Sequence, residues 1–178
     1  TRLPGNVSIL NELQKRIDAT TMYAVCYADL NKFKSYNDKY GFEHGDEVIK
    51  ETARILIRIT QESGNPDDFI GHIGGDDFVI LTTPNKVDEI CKGIIFDFDK
   101  AAPHFYTKMD RERGYIMAHD RQGKEVKLGF LSISIGVVSN EYRKIEHVAQ
   151  IGEIGAELKT AAKQFGYSSY IKDKRKAV

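Results

Sequence analysis

His72-Ile73-Gly74-Gly75-Asp76-Asp77-Phe78-Val79-Ile80-Leu81 sets two glycines, two acids and an apolar run in immediate succession. Adjacent glycines accept a positive φ at little cost and suit the tight turn of a β-hairpin. The run from Phe78 is rich in residues that favour a pleated, buried strand. A hairpin tip that carries paired carboxylates in front of a buried strand can hold a divalent cation. It can equally be a turn whose acids are merely solvated, and the segment by itself leaves both readings open.

Upstream, Met22-Tyr23-Ala24-Val25-Cys26-Tyr27-Ala28-Asp29 reads as a strand buried on both faces and ending in a single carboxylate. Ser8 is placed to cap a helix over Ile9–Ile17. Leu30–Asp38 reads as a helical turn or short helix, and Gly41–Asp46 as a loop with Asp46 as helix cap. Val48, Ile49, Thr52, Ala53, Ile55, Leu56 and Ile59 then follow at helical spacing. Phe69–Ile73 and Phe78–Thr82 are the hairpin strands. Val87, Ile90, Cys91, Ile94, Ile95 and Phe98 mark another amphipathic helix, interrupted near Pro103. Gly114–His119 and Glu125–Val138 read as strands around the turn signal Asp120-Arg121-Gln122-Gly123. In the second of these, Ser132, Ser134 and Gly136 alternate with apolar residues, so one face packs under something close. Ile145–Gln164 is a last helix, weakened by Gly152 and Gly155, and Ser169-Tyr170-Ile171 a last strand. This order implies an α+β fold, a sheet with helices on its faces.

The chain has 178 residues, 41% of them hydrophobic, enough for one sizeable core in a single domain over 1–178. Lys and Arg balance Asp and Glu at 26 each, which removes the global basic field that draws proteins to nucleic acid or anionic membrane. Cys26 and Cys91 sit in apolar runs without metal-site spacing, so a disulfide framework is not expected. No apolar run approaches the roughly 18 residues of a membrane span, and nothing resembles a signal peptide. The expected location is cytoplasmic. The abrupt opening at Thr1 and the uncapped basic tail Lys172–Lys176 read as a domain taken from a longer protein.

If Asp29 and the Gly74–Asp77 tip lie on neighbouring strands, their carboxylates converge at one edge of the sheet. Mg²⁺ takes hard oxygen ligands and is typically held by one or two carboxylates, substrate phosphates and water. That is the minimum for metal-assisted phosphoryl or nucleotidyl transfer. Lys34 and Lys163 could each meet a phosphate as a point charge, or be solvated surface residues. Asn37 and Asp46 form a second pair. A carboxylate can accept from guanine N1–H and its exocyclic amine, while an amide donates to O6 and N7. Adenine has no N1 donor and would leave such a carboxylate unpaired. Taken singly, Asp46 could be a helix cap and Asn37 a turn residue. There is no Gly-x-x-x-x-Gly-Lys-[Ser/Thr] loop, His-Glu-x-x-His, Cys-x-x-Cys or Gly-x-Ser-x-Gly motif.

Asp29-Leu30-Asn31-Lys32-Phe33-Lys34-x-x-Asn37-Asp38-x-x-Gly41-x-x-x-Gly45-Asp46-Glu47, followed by Gly74-Gly75-Asp76-Asp77-Phe78, resembles the GGDEF family of diguanylate cyclases. Thr1–Asn6 is similar to the family's opening Leu-Thr-x-Leu-Pro, Leu131–Val138 to its Ser-Ile-Gly strand, and Ala162-Lys163-x-x-Gly166 to its closing Ala-Lys-x-x-Gly. The resemblance implies a nucleotide-cyclase or palm-like, mostly antiparallel sheet flanked by helices. It further implies a nucleotidyltransferase that converts two GTP to cyclic di-GMP with Mg²⁺, or Mn²⁺ in its place, across a homodimer. An N-terminal sensory or regulatory domain in the full-length protein would bring two copies together. By position, Asp29, Asp76 and the Leu30 carbonyl would ligate metal, and Asp77 would be a further ligand or the base near the 3′-hydroxyl. Gly74 and Gly75 would let backbone approach the phosphates. Asn37 and Asp46 would read guanine beside Phe33, and Lys34 and Lys163 would bind terminal phosphates.

The chain departs from the family pattern at several points. Asp77 replaces the usual Glu, Phe42 the usual His and His72 the usual Arg. Gly166-Tyr167-Ser168 stands for Gly-Arg-Asn. The product-inhibition Arg-x-x-Asp is Asn65-Pro66-Asp67-Asp68, which implies loss of that feedback. Lys100–Gly129 is longer than the usual connection. Two other functions therefore stay in view: a catalytically silent module that binds GTP or cyclic di-GMP and regulates a partner, and a cyclase of relaxed specificity making a mixed purine dinucleotide.

Overall fold

A run of residues that favour strands, Ala24–Asn31, forms the middle of the molecule in the computed structural model, which describes residues 1–120 and 122–176. In chain order come α1 (Asn6–Asp18), β1 (Ala24–Asn31), α2 (Phe33–Tyr40), α3 (Phe42–Ser63), β2 (Phe69–Gly74) and β3 (Asp77–Thr82). They are followed by α4 (Val87–Ala101), α5 (Lys108–Arg113), β4 (Ile116–His119), β5 (Glu125–Leu128), β6 (Ser132–Ser139), α6 (Val148–Lys163) and β7 (Ser169–Lys172). Five strands pair in the order β2-β3-β1-β6-β7, antiparallel throughout except for β6 with β7. The fold is α+β, with a mostly antiparallel sheet between helices.

β1 is apolar on both faces because each face is covered. Ala24, Cys26, Ala28 and Leu30 enter a large core with Val48, Leu56, Ile90 and Phe98 of α3 and α4. Val25, with Tyr27 at its edge, meets Ile9 and Leu13 of α1 and Ile151 and Leu158 of α6 on the other side. Phe78 and Ile80 of β3 are fully buried in the first core. Each such side chain contributes about 1.5–3 kcal/mol relative to remaining exposed.

α6 reaches the sheet more closely than ordinary side chains permit. A Cβ on Gly136 would stand 2.6 Å from the Lys159 backbone nitrogen and 2.7 Å from the Gly155 carbonyl. A Cβ on Gly155 would collide with the Tyr27 ring. The glycine that alternates with Ser132 and Ser134 in β6 thus marks the close neighbour expected from the sequence. Gly155, which weakens the helix locally, is the matching hollow.

Several sequence expectations shift. The strand expected over Glu125–Val138 is two strands in different sheets, because Gly129–Leu131 is drawn aside. Lys32 donates to the Phe130 carbonyl at 3.2 Å, and the Leu131 N–H donates to the Tyr106 hydroxyl at 2.9 Å. α1 begins at Asn6 with Gly5 as its cap, so Ser8 lies inside the helix. Gly41 both ends α2 and starts α3, so Asp46 is not a cap but a residue of the second helical turn. The Gly41–Asp46 loop is accordingly helical from Phe42 onward.

Candidate active site at the rim of the sheet

The Gly-Gly-Asp-Asp run builds the hairpin its chemistry suggests. Gly75 and Asp76 form the two-residue loop between β2 and β3, and φ is +150° at Gly74 and +54° at Gly75. A positive φ at the first loop residue is the type II′ requirement that favours glycine. His72 braces this turn: its Nε2 lies 2.9 Å from the Gly75 carbonyl, its Nδ1 3.1 Å from the Thr1 hydroxyl, and its ring stacks on Phe78.

Antiparallel register then brings the acids together. Asp29 of β1 is directly opposite Asp77 of β3, with Asp76 in the adjoining loop. Directly opposed residues share a face of the sheet, and α6 lies over this one. Pairing of β1 with β3 stops at Asp29–Asp77, whereas pairing with β6 continues to Asn31–Ser132. Leu30 therefore lies beyond the end of β3, at the rim. Behind Asp29, Asn31 donates to the Ser132 hydroxyl at 2.8 Å and accepts from the Ser134 hydroxyl at 3.0 Å, forming a buried polar floor.

Two cations from α6 meet this cluster. Lys159 Nζ lies 3.0 Å from Asp29 Oδ2 and hydrogen-bonds Asp77 Oδ1, while Lys163 Nζ lies 2.7 Å from Asp29 Oδ1. The Lys163 contact lacks hydrogen-bond alignment, and buried Asp29 Oδ1 has no hydrogen-bond partner. Asp76 is pushed up to about 6, first by burial and then by the negative charge of Asp29, with Asp77 adding to it and its own backbone N–H opposing. Burial opposes the Lys159 ammonium, yet hydrogen bonds and the charges of Asp77 and Asp29 hold it above the ordinary lysine value.

Asn37 and Asp46 are joined by the packing of α2 on α3. A Cβ at Gly45 would fall on the Asn37 side-chain carbonyl, so this glycine makes room for the amide immediately beside Asp46. Asn37 Oδ1 is buried without a hydrogen-bond partner, and Asp46 is exposed. Phe33 packs on the first core at the start of α2, and Lys34 beside it is exposed. β1 delivers Asp29 and α2 delivers Asn37 from opposite sides of the single residue Lys32, which holds a left-handed φ of +67°.

The structure thus gathers Asp29, Asp76, Asp77 and Lys163 in one place, and Asn37 with Asp46 in another. Lys159 was not singled out from the sequence, although its i, i+4 spacing from Lys163 puts both on one helix face. Among the described residues, no three carboxylate, thiol or imidazole side chains form a ready-made metal cluster. The donors present still suit Mg²⁺, which takes few protein carboxylates and completes its shell from phosphate and water. Asp29 Oδ1 is a hard, buried oxygen that accepts no hydrogen bond and faces the Lys163 ammonium, and Asp76 adjoins Asp29.

A family model described as "Diguanylate cyclase, GGDEF domain" matches residues 1–166. The probable diguanylate cyclase DgcT of Escherichia coli (strain K12) is 38% identical over 63 residues, 35% of this chain but 13% of DgcT. The active GGEEF domain of a diguanylate cyclase from Vibrio cholerae superposes with a TM-score of 0.71 at 17% identity, covering 99% of this chain and all of that one. The GGDEF domain of Caulobacter crescentus DgcB, solved with c-di-GMP, gives 0.68 at 18% identity, covering 97% and 92%. No helix among the described residues is long and apolar enough to cross a membrane.

Proposed function

Because the chain belongs to the GGDEF family of diguanylate cyclases, we propose that it condenses two GTP into cyclic di-GMP, with two chains each presenting one nucleotide. The 3′-oxygen of each GTP forms a bond to the α-phosphorus of the other. The bond from that phosphorus to the bridging oxygen breaks, pyrophosphate leaves, and the hydroxyl proton is released. The observation that carries this reading is the opposition of Asp29 and Asp77 across β1 and β3, with Asp76 in the adjoining turn. It provides a converging anionic rim beneath a glycine turn with no side chain to fend off phosphate.

Divalent magnesium, or manganese in its place, would be held by Asp29, Asp76 and the Leu30 carbonyl, and would neutralise charge developing on the phosphates. Asn37 and Asp46 orient guanine, with Phe33 behind them, and Gly74 and Gly75 admit the phosphate chain. Lys163 and Lys34 supply cationic contacts to its terminal groups. DgcT is far longer than the matched segment, which is consistent with a regulatory region elsewhere in the full-length protein that pairs the domains.

A second reading, a silent module that binds GTP or cyclic di-GMP, draws on one observation: Asp77 is already engaged by Lys159. Incubating concentrated protein with GTP and Mg²⁺ and separating the products by chromatography decides between them. Cyclic dinucleotide that falls at least roughly a hundred-fold in Asp76→Asn is expected, the scale at which one electrostatic contact to the transition state acts. Tight GTP binding without turnover in the unmodified chain would select the silent module.

A further inference from the structure

We propose that the Lys159 ammonium is a built-in cation of this site, seated between Asp29 and Asp77 and so keeping Asp77 from serving as a metal ligand. It leaves Asp29 Oδ1, which faces the Lys163 ammonium at 2.7 Å, with Asp76 and the Leu30 carbonyl as the groups that would hold metal. The chain therefore takes up divalent ions more weakly than its three acids suggest, and Asp77 binds an ammonium rather than a metal. This rests on the cyclase reading for its purpose, but not for its test.

Lys159 contacts both opposed carboxylates at once, 3.0 Å from Asp29 Oδ2 and hydrogen-bonded to Asp77 Oδ1. The side chain is only 20% exposed, and its starting point is fixed by the close seating of α6 on β6. The Lys159 backbone nitrogen is directly over Gly136, where a Cβ would stand 2.6 Å away, and Gly155 nests on Tyr27. An ordinary surface lysine has no such seat. The three carboxylates and two ammonium groups leave a single formal negative charge, so the cluster is nearly balanced before any metal arrives.

The test is a Mn²⁺ titration of the full chain, followed by electron paramagnetic resonance, with no nucleotide present. Lys159→Met is expected to bind Mn²⁺ at least roughly ten-fold more tightly, because a like charge beside the ion is gone and two carboxylates are released. Lys159→Arg should retain the weak binding, and adding Asp77→Asn to Lys159→Met should remove much of the gain, leaving only the part due to the lost ammonium. Thermal melts check folding, with Lys159→Gln replacing any methionine variant that fails to melt cooperatively. Equal Mn²⁺ affinity in wild type and Lys159→Met, or a gain that Asp77→Asn leaves undiminished, would overturn the proposal. Wild-type chain that makes no cyclic dinucleotide while the affinity difference persists would remove the cyclase reading and leave this one standing.

Discussion

Asp46 is exposed on α3 and adjoins the glycine that accommodates Asn37, so its carboxylate is free to meet a base edge rather than occupied as a helix cap. If it accepts from guanine N1–H and the exocyclic amine, its removal leaves those donors unpaired. An unpaired buried donor costs about 1–3 kcal/mol. Asp46→Ala should therefore weaken GTP binding roughly ten- to hundred-fold and change ATP binding little, as isothermal titration calorimetry with each nucleotide would show. Equal losses for both would reject the guanine role. At this scale the acids were legible because two short motifs name them. Lys159 was not, since one lysine among many gains its meaning only from the register that sets α6 over Asp29.

α2 carries Phe33, Lys34 and Asn37 on one stretch, yet its other side is bound to the long connection between α4 and β6. The Tyr36 hydroxyl donates to the Phe105 carbonyl at 2.8 Å, the Tyr40 hydroxyl donates to Asp110, and the Tyr36 and Tyr40 rings stack with centroids 4.9 Å apart. Thr107 caps α5 through the Asp110 N–H, and Arg113 pairs with the Asp110 carboxylate. The inserted segment, to which the sequence assigned no role, is thus a buttress for the helix that presents Asn37. α5 itself was not expected: six residues, five of them charged, are too few to signal or hold a helix without tertiary contacts. The Tyr40 hydrogen bond holds Asp110 below the usual carboxylate range, against the opposing effect of burial and with help from Lys39 and Arg113. A carboxyl depressed in the folded state stabilises the protein above the unfolded value near 3.9, and that contribution fades as pH falls through the folded value. Asp110→Asn should consequently melt below wild type at pH 7, with roughly 2–4 °C for each kcal/mol lost in a domain of this size. The gap should close as pH drops below about 4. A gap that stayed constant into acid would show that Asp110 acts by shape, not charge.

Across the molecule, the sheet and its two cores follow from patterns a sequence displays openly: β1 apolar on both faces, α3 and α4 periodic, the hairpin marked by glycines. What the sequence does not display is depth. The seating of α6 on Gly136 and Gly155, and the diversion that separates β5 from β6, depend on contacts between residues far apart in the chain. The chain has one hairpin tip and one Asn37–Asp46 pair, hence room for one nucleotide per chain under the proposed reaction. A product containing two guanylates then requires two rims to face each other. Turnover per chain should rise with protein concentration, nearly in proportion while monomers dominate, and level off as dimers form. Fusing a parallel coiled coil ahead of Thr1 should remove that dependence, because tethering sets an effective concentration near the millimolar range regardless of dilution. Initial rates of cyclic dinucleotide formation over a hundred-fold range of protein concentration, with the oligomeric state read by light scattering, provide the check. Constant turnover per chain from a species that stays monomeric throughout would mean that one rim completes the chemistry alone, and the two-chain scheme would fall.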